Sequence, residues 1–150
     1  MKRAVVLLAD GFEEVEAITQ VDFLRRAGIE VVGAGVTGRD VVGGHDVRVN
    51  TDITVDEFGG FVAALVIPGG AAGAANIAAD EDAMRLVRRA FDEGKLVAAI
   101  CASPGLVLGA NGLLGTSTFT CYPGFEAKAT SGSFVEHRVV VDGKLITSRG

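Results

Sequence analysis

The chain predicts an α/β fold built on a mainly parallel sheet, and three observations lead there. Ala4-Val5-Val6-Leu7-Leu8-Ala9, Val62-Ala63-Ala64-Leu65-Val66-Ile67 and Leu96-Val97-Ala98-Ala99-Ile100 are continuous apolar runs. Without polar alternation they read as strands covered on both faces. Segments of helical spacing separate such runs, and strands alternating with helices build βαβ units. Each run also stops on turn residues: Asp10-Gly11, Pro68-Gly69-Gly70 and Cys101-Ala102-Ser103-Pro104.

The elements follow in order. Ala4 to Ala9 is the first strand, broken by Asp10-Gly11-Phe12. From Glu13 to Ala27 the apolar Val15, Ile18, Val21, Phe23 and Leu24 recur at near-helical spacing, and Gly28 suits a C-cap. Ile29 to Val36 is a second strand. Val41 to Val49 alternates around Gly43-Gly44 and reads as a hairpin or an edge excursion. Asp52 to Phe58 reads as a short helical turn, and Val62 to Ile67 as the third buried strand. Asp80 to Glu93 is a well-marked helix, with Met84, Leu86, Val87, Ala90 and Phe91 inward and Gly94 as its stop. Leu96 to Ile100 is a strand that ends on Cys101. Ser103 to Ala110 continues as a helix, with Pro104 where a first turn tolerates proline. Thr116 to Cys121 and Phe134 to Val141 are strands. Asp142-Gly143 turns the second of them into Lys144-Leu145-Ile146-Thr147-Ser148, a closing hairpin.

Composition narrows the function classes. With 150 residues the chain reads as one domain, 1–150. Apolar residues make up 49%, enough for a core and too many for a disordered segment. A net charge of −5 without a basic cluster argues against a nucleic-acid partner. The apolar runs are too short to span a membrane, and Asp10, Glu13, Glu14 and Glu16 follow the first run too soon for a signal peptide. The expectation is a cytoplasmic protein. Cys101 and Cys121 make no disulfide framework and fit no zinc spacing, and His45 and His137 stand apart, so no metal and no cofactor are expected. No Walker A or Rossmann glycine pattern follows the first strand.

Ligand sites in parallel sheets lie beyond the carboxyl ends of the strands. Asp10–Glu16, Pro68–Gly73 and Cys101–Gly105 all leave strands in that layer. A cysteine at the mouth of a helix meets unpaired N–H groups and partial positive charge, which favour thiolate. The competing reading is a buried structural cysteine. Glu13 and Glu14 at a helix N-terminus complement its dipole and read as solvated. Glu16, turned toward the core, is the candidate partner of Cys101, and its carboxyl would have to share a proton with the sulfur. Pro68-Gly69-Gly70 is either a packing turn or a source of backbone N–H groups. With the N–H of Ala102 these would form an oxyanion hole. His45 and His137 read as surface histidines. Tyr122 is a candidate for facing the site, but a phenol is a poor base at neutral pH. Without a Cys-His pair, papain-like proteolysis has little support.

Taken together, Ala9-Asp10-Gly11-Phe12-Glu13-Glu14-Val15-Glu16, Val21-Asp22-Phe23-Leu24-Arg25-Arg26-Ala27-Gly28, Val66-Ile67-Pro68-Gly69-Gly70, Ala98-Ala99-Ile100-Cys101-Ala102 and Thr147-Ser148-Arg149-Gly150 resemble the ThiJ/PfpI superfamily. The branch they resemble is that of the Parkinsonism-associated deglycase and its bacterial relatives. The resemblance implies a flavodoxin-like sandwich with helices on both faces of the sheet and the cysteine at a nucleophile elbow. It implies Cys101 as the reactive cysteine, Glu16 as the glutamate bonded to it, and Gly70 and Ala102 as oxyanion donors. It implies a homodimer acting on a small aldehyde or a glycated substrate. The implied activity is glutathione-independent glyoxalase or deglycase chemistry, of hydrolase or lyase type, tied to carbonyl and oxidative stress. The alternatives it carries are redox sensing or chaperone action through oxidation of Cys101, and peptidase activity. Ala102 stands where the protease-like branch has a histidine, and Tyr122 where many relatives have one. Family members continue past Thr-Ser-Arg-Gly into a final helix. The chain is therefore expected to be truncated at its C-terminus, to expose an apolar sheet face and to be poorly stable unless the missing segment is supplied separately.

Overall fold

A computed structural model describes residues 2–60 and 62–150. Among these, strands β1 (Arg3–Leu8), β2 (Glu30–Gly35), β5 (Ile53–Thr54), β6 (Ala64–Ile67), β7 (Leu96–Ile100), β10 (Val139–Asp142) and β11 (Leu145–Ser148) form a seven-stranded sheet in the order β10-β11-β7-β6-β1-β2-β5. All neighbours are parallel except β10 against β11. β3 (Asp40–Val42) and β4 (Arg48–Asn50) make the expected hairpin, with Val41 opposite Val49.

The chain goes from β1 outward to β2, then returns to place β6 on the other side of β1. The gap beyond β1 and β6 is thus a topological switch point, where parallel sheets leave a crevice. Helix α1 (Glu14–Arg26) crosses from β1 to β2 on one face. Helices α2 (Ala71–Ala79) and α3 (Glu81–Asp92) cross from β6 to β7 and pack on the other. The α2–α3 face buries Val5, Leu7, Leu65, Ile67, Val97 and Ala99 against Ile77, Val87 and Leu108. The α1 face buries Val6, Leu8, Val31 and Val66 against Ala17 and Phe12. This strict alternation gives the apolar runs, because each side of the sheet has its own core.

Several elements differ from the sequence reading. Helix α2 was not expected: Ala71-Ala72-Gly73-Ala74-Ala75-Asn76-Ile77-Ala78-Ala79 has no polar side to set against an apolar one, so it shows no helical period. Asp52–Phe58 is a short edge strand followed by turns, because Ile53 and Thr54 pair with Ala34 and Gly35. The segment after Cys101 coils with π-type spacing over Pro104–Gly109. Phe134–Val141 splits into β9 (Ser133–Phe134), parallel to β8 (Thr118–Phe119), and β10. On α1 the periodicity is not a core stripe. Val15 is 71%, Ile18 41% and Phe23 67% exposed, while Ala17 is buried and Val21 and Leu24 are half-buried on the sheet.

On the α1 side, no helix lies over β7, β11 and β10 among the described residues. A groove of about 500 Å³ runs there past Leu24, Ala64, Ala98 and Ile146. Val139 and Val141, at the edge of the same side, are 53% and 67% exposed. No helix among the described residues is long and apolar enough to cross a membrane.

Leu65 is fully buried at the centre of the sheet, so Leu65→Ala is expected to lower the unfolding free energy by about 2–5 kcal/mol. Val141→Ala, at the exposed edge, is expected to stay within about 0.5 kcal/mol. Urea unfolding midpoints at constant m-value check both.

Candidate active site

Strand β7 delivers Cys101 in a left-handed conformation, with φ of 63°. A non-glycine residue held there costs about 1–3 kcal/mol, and such strain persists only where the surroundings enforce it. Here the Cys101 N–H donates to Ser148 O at 2.9 Å, and the Tyr122 N–H donates to Cys101 O at 2.7 Å. Both backbone groups of the strained residue are therefore tied, one to β11 and one to the segment after β8. The next turn closes with Leu106 N–H on Ala102 O at 2.9 Å.

The loop after β6 approaches the cysteine as closely as backbone can. A Cβ on Gly69 would collide with Cys101 Cβ and reach 3.0 Å from its sulfur. Gly70 has φ of 84° and lies against Gly11 O and Glu13 N, so it is glycine for both conformation and space. Helix α1 supplies the third component. Glu16, half-buried in its first turn, accepts the Gly69 N–H on Oε2 at 2.8 Å and shares a hydrogen bond with Cys101. The N–H groups of Gly70 and Ala102 also act on the sulfur, favouring its anion. The structure thus brings together all four residues singled out in the sequence: Cys101, Glu16, Gly70 and Ala102.

Their electrostatics are a contest. Burial pushes the Cys101 thiol up; the Gly70 and Ala102 N–H groups pull it down, and the Glu16 charge pushes it up again, leaving it above the ordinary thiol value. Burial likewise raises Glu16, against the opposing hydrogen bonds of Gly69 and Cys101. The pull toward thiolate expected from a helix mouth is therefore opposed inside the site. The two N–H groups act as expected, but desolvation and the carboxylate outweigh them. Sulfur and carboxyl are coupled, so each one's proton affinity depends on the other's charge.

Cys121 is fully buried, and desolvation followed by the Glu126 charge pushes its thiol up to about 11. That makes it an inert core cysteine. Tyr122 is half-exposed, with its ring edge-on to Phe125 at 6.2 Å. Its tie to Cys101 is through the backbone. His45 pairs with Glu14, and His137 O accepts the Thr120 hydroxyl at 2.8 Å.

Sequence reasoning missed three participants and left the part played by Gly69 unassigned. Gly69 holds Glu16. Ser103, fully buried, donates its hydroxyl to Pro68 O at 2.5 Å. The backbone at Gly150 walls the site, since a Cβ there would lie 3.2 Å from Glu16 Oε1 and 3.3 Å from Cys101 Cβ. Glu14 is not solvated: it is buried, accepting the His45 N–H at 2.5 Å and lying 2.9 Å from the His45 ring Nδ1. Only the hydroxyl two residues after the cysteine left a readable sign.

The Glu14–His45 pair fastens the hairpin to the start of α1, together with Gly44 N–H on Phe12 O at 2.8 Å. Burial raises the Glu14 carboxyl, but the hydrogen bonds from the His45 ring and backbone outweigh it and leave it below the ordinary range. His45 is raised by its hydrogen bond to Glu14 and by the Glu14, Glu13 and Asp46 charges. The histidine's contribution is complete below its unfolded value and fades as pH rises through the raised folded one. The glutamate's is complete above its unfolded value and fades as pH falls through the lowered folded one. His45→Gln is therefore expected to lower Tm most between about pH 4.5 and 6.5, with the gap closing as pH rises through the raised His45 value. Thermal melts across that range check it; a gap independent of pH would leave the pair without an electrostatic role.

The DJ-1/PfpI family model matches residues 2–150. Over 148 residues the chain is 40% identical to protein DJ-1 homolog B of Arabidopsis thaliana, covering 97% of this chain and 34% of that protein. It thus spans about a third of that relative's length. It is 34% identical over 151 residues to a deglycase of Thermococcus kodakarensis, covering 98% and 89% of the two chains. A crystal structure of a mutant DJ-1 superfamily protein from Salmonella typhimurium superposes with a TM-score of 0.96 at 39% identity, covering all of this chain and 82% of that one.

Proposed function

The chain belongs to the DJ-1/PfpI family, and from that membership and the site geometry we propose that it is a cysteine-dependent enzyme of small carbonyl compounds, of glyoxalase or deglycase type. One observation carries this reading: a carboxyl and two backbone N–H groups converge on one strained cysteine sulfur. The deglycase name of an archaeal relative supports the same class.

With a 2-oxoaldehyde such as methylglyoxal, the Cys101 sulfur attacks the aldehyde carbon while Glu16 takes the thiol proton. A C–S bond forms and the carbonyl π pair moves to oxygen. The Gly70 and Ala102 N–H groups then turn from sulfur to the developing oxyanion. Glu16 returns the proton, giving a hemithioacetal. Transfer of a proton from the former aldehyde carbon to the neighbouring carbon, through an enediol, yields a thioester. Water hydrolyses it to the 2-hydroxyacid and restores the thiol. The sum is aldehyde plus water, with no net oxidation and no glutathione. Because Glu16 serves as the base at the sulfur, the upward push on the thiol is no obstacle.

The expected result is methylglyoxal turnover to lactate without added glutathione. Cys101→Ser is expected to remove at least about 10³-fold of kcat, and Glu16→Gln about 10²- to 10⁴-fold. A Cys101→Ser variant with wild-type turnover would sink the mechanism.

A second reading, redox sensing, draws on the half-buried sulfur with a carboxyl hydrogen-bonded to it. Such a carboxyl could donate to a sulfinate formed by a peroxide. Peptide mass spectrometry after mild peroxide is expected to show two added oxygens at Cys101 and none at the buried Cys121; the reverse pattern removes this reading.

A further inference from the structure

Ser103 stands at the first turn after the elbow, where a serine hydroxyl ordinarily caps the N–H groups of its own helix. It makes no such bond here. Its side chain, fully buried, crosses to the neighbouring strand end and donates to Pro68 O at 2.5 Å. The same peptide unit carries the Gly69 N–H, which donates to Glu16 Oε2 at 2.8 Å. The Pro68–Gly69 peptide is therefore gripped on both edges, by a hydroxyl from the cysteine turn and by the carboxylate that faces the cysteine. The next peptide continues the arrangement. Gly69 O accepts the Glu13 N–H at 3.0 Å, and the Gly70 N–H points to the Cys101 sulfur.

Gly69 borders this peptide on one side, and without a Cβ it leaves the φ through which the plane turns unopposed. A rotated Pro68–Gly69 peptide would present a carbonyl, not an N–H, to Glu16. Nothing in Gly69 prevents that rotation; the hydroxyl of Ser103 opposes it, since Pro68 O is buried and would lose its partner.

We propose that Ser103 is a positioning residue, which locks the Pro68–Gly69 peptide so that Gly69 and Gly70 keep their N–H groups on Glu16 and on the Cys101 sulfur. It touches neither substrate nor sulfur through its hydroxyl and acts through the loop. The inference rests on the proposed cysteine chemistry for its catalytic consequence, but its physical claim concerns the proton held by the site and needs no substrate.

The test is the pH dependence of iodoacetamide alkylation at Cys101, followed by peptide mass spectrometry, which separates it from buried Cys121. Ser103→Ala is expected to move the midpoint of alkylation upward by about one pH unit, as a lost N–H on the sulfur should. It is also expected to lower methylglyoxal kcat about tenfold with KM within about twofold, the pattern of an interaction used in the transition state. Ser103→Thr keeps the hydroxyl and is expected to restore the wild-type midpoint; Ser103→Val has the same shape without it and is expected to follow Ser103→Ala. A folded Ser103→Ala with the wild-type midpoint, or Thr and Val variants with the same midpoint, overturns the inference. A shifted midpoint in a protein without carbonyl turnover would defeat the proposed activity and leave the role of Ser103 standing. Turnover with an unshifted midpoint would do the opposite.

Discussion

The site depends on one strained residue. Cys101 leaves β7 with a left-handed backbone, and that sets where its sulfur meets the other two loops. The strain is contained by hydrogen bonds to Ser148 O and from Tyr122 N, and by the register of β7 between β6 and β11. Strand β11 is parallel to β7 and ends level with it, at Ser148 opposite Ile100. The closing hairpin is thus more than an edge of the sheet: it supplies the acceptor that fixes the direction of the elbow. An ordinary extended cysteine at this position would carry its side chain on along the alternation of the strand, toward one of the two cores.

Burial and hydrogen bonding act on the same sulfur with opposite signs. Had burial acted alone, Cys101 would resemble Cys121, which has a poor environment for an anion and no backbone donor among its causes of shift. Two N–H groups distinguish the one from the other. They do not make a free thiolate, because Glu16 lies beside them and is itself hard to ionise fully. The proposed chemistry draws on a proton passed between the sulfur and the carboxyl. Such a pair suits chemistry in which the proton must leave and return within a single turnover. It also lets the proposed carbonyl chemistry run without a histidine at the sulfur.

The sheet was legible because its two faces are both buried, which writes strands as unbroken apolar runs. The helix α3 was legible because only one of its sides is buried. Helix α2 was not, since alanine and glycine on every side give no period. The reading of α1 failed in the opposite way: its apolar residues have a helical period, yet Val15, Ile18 and Phe23 point outward, and periodicity cannot tell which side is covered. The site itself was half legible. Cysteine after a strand, glutamate after another and paired glycines after a third are visible as residue types. That Ser103 turns away from its own helix, or that the Gly69 N–H is aimed at Glu16, is a matter of side-chain and peptide orientation, which a sequence does not record.

The three glutamates at the start of α1 show how far direction matters. Glu13 is the N-cap, accepting the Glu16 N–H at 2.7 Å. Glu14 lies about 100° further round the helix and Glu16 about 200° beyond Glu14. Glu14 and Glu16 must therefore look to opposite sides. One meets the hairpin through His45; the other meets Gly69 and the sulfur. The helix is thereby held from both flanks, by the hairpin on one and the glycine loop on the other, while Glu13 secures the end between them. It is also tied to the loop after β6 by the Glu13 N–H on Gly69 O. A carboxylate that must share a proton with a sulfur needs its distance kept within a few tenths of an ångström, and a single surface helix end would not supply that. Glu13 and Glu14, read together as partners of a helix dipole, join Glu16 as three separate constraints, of which only the last reaches the chemistry.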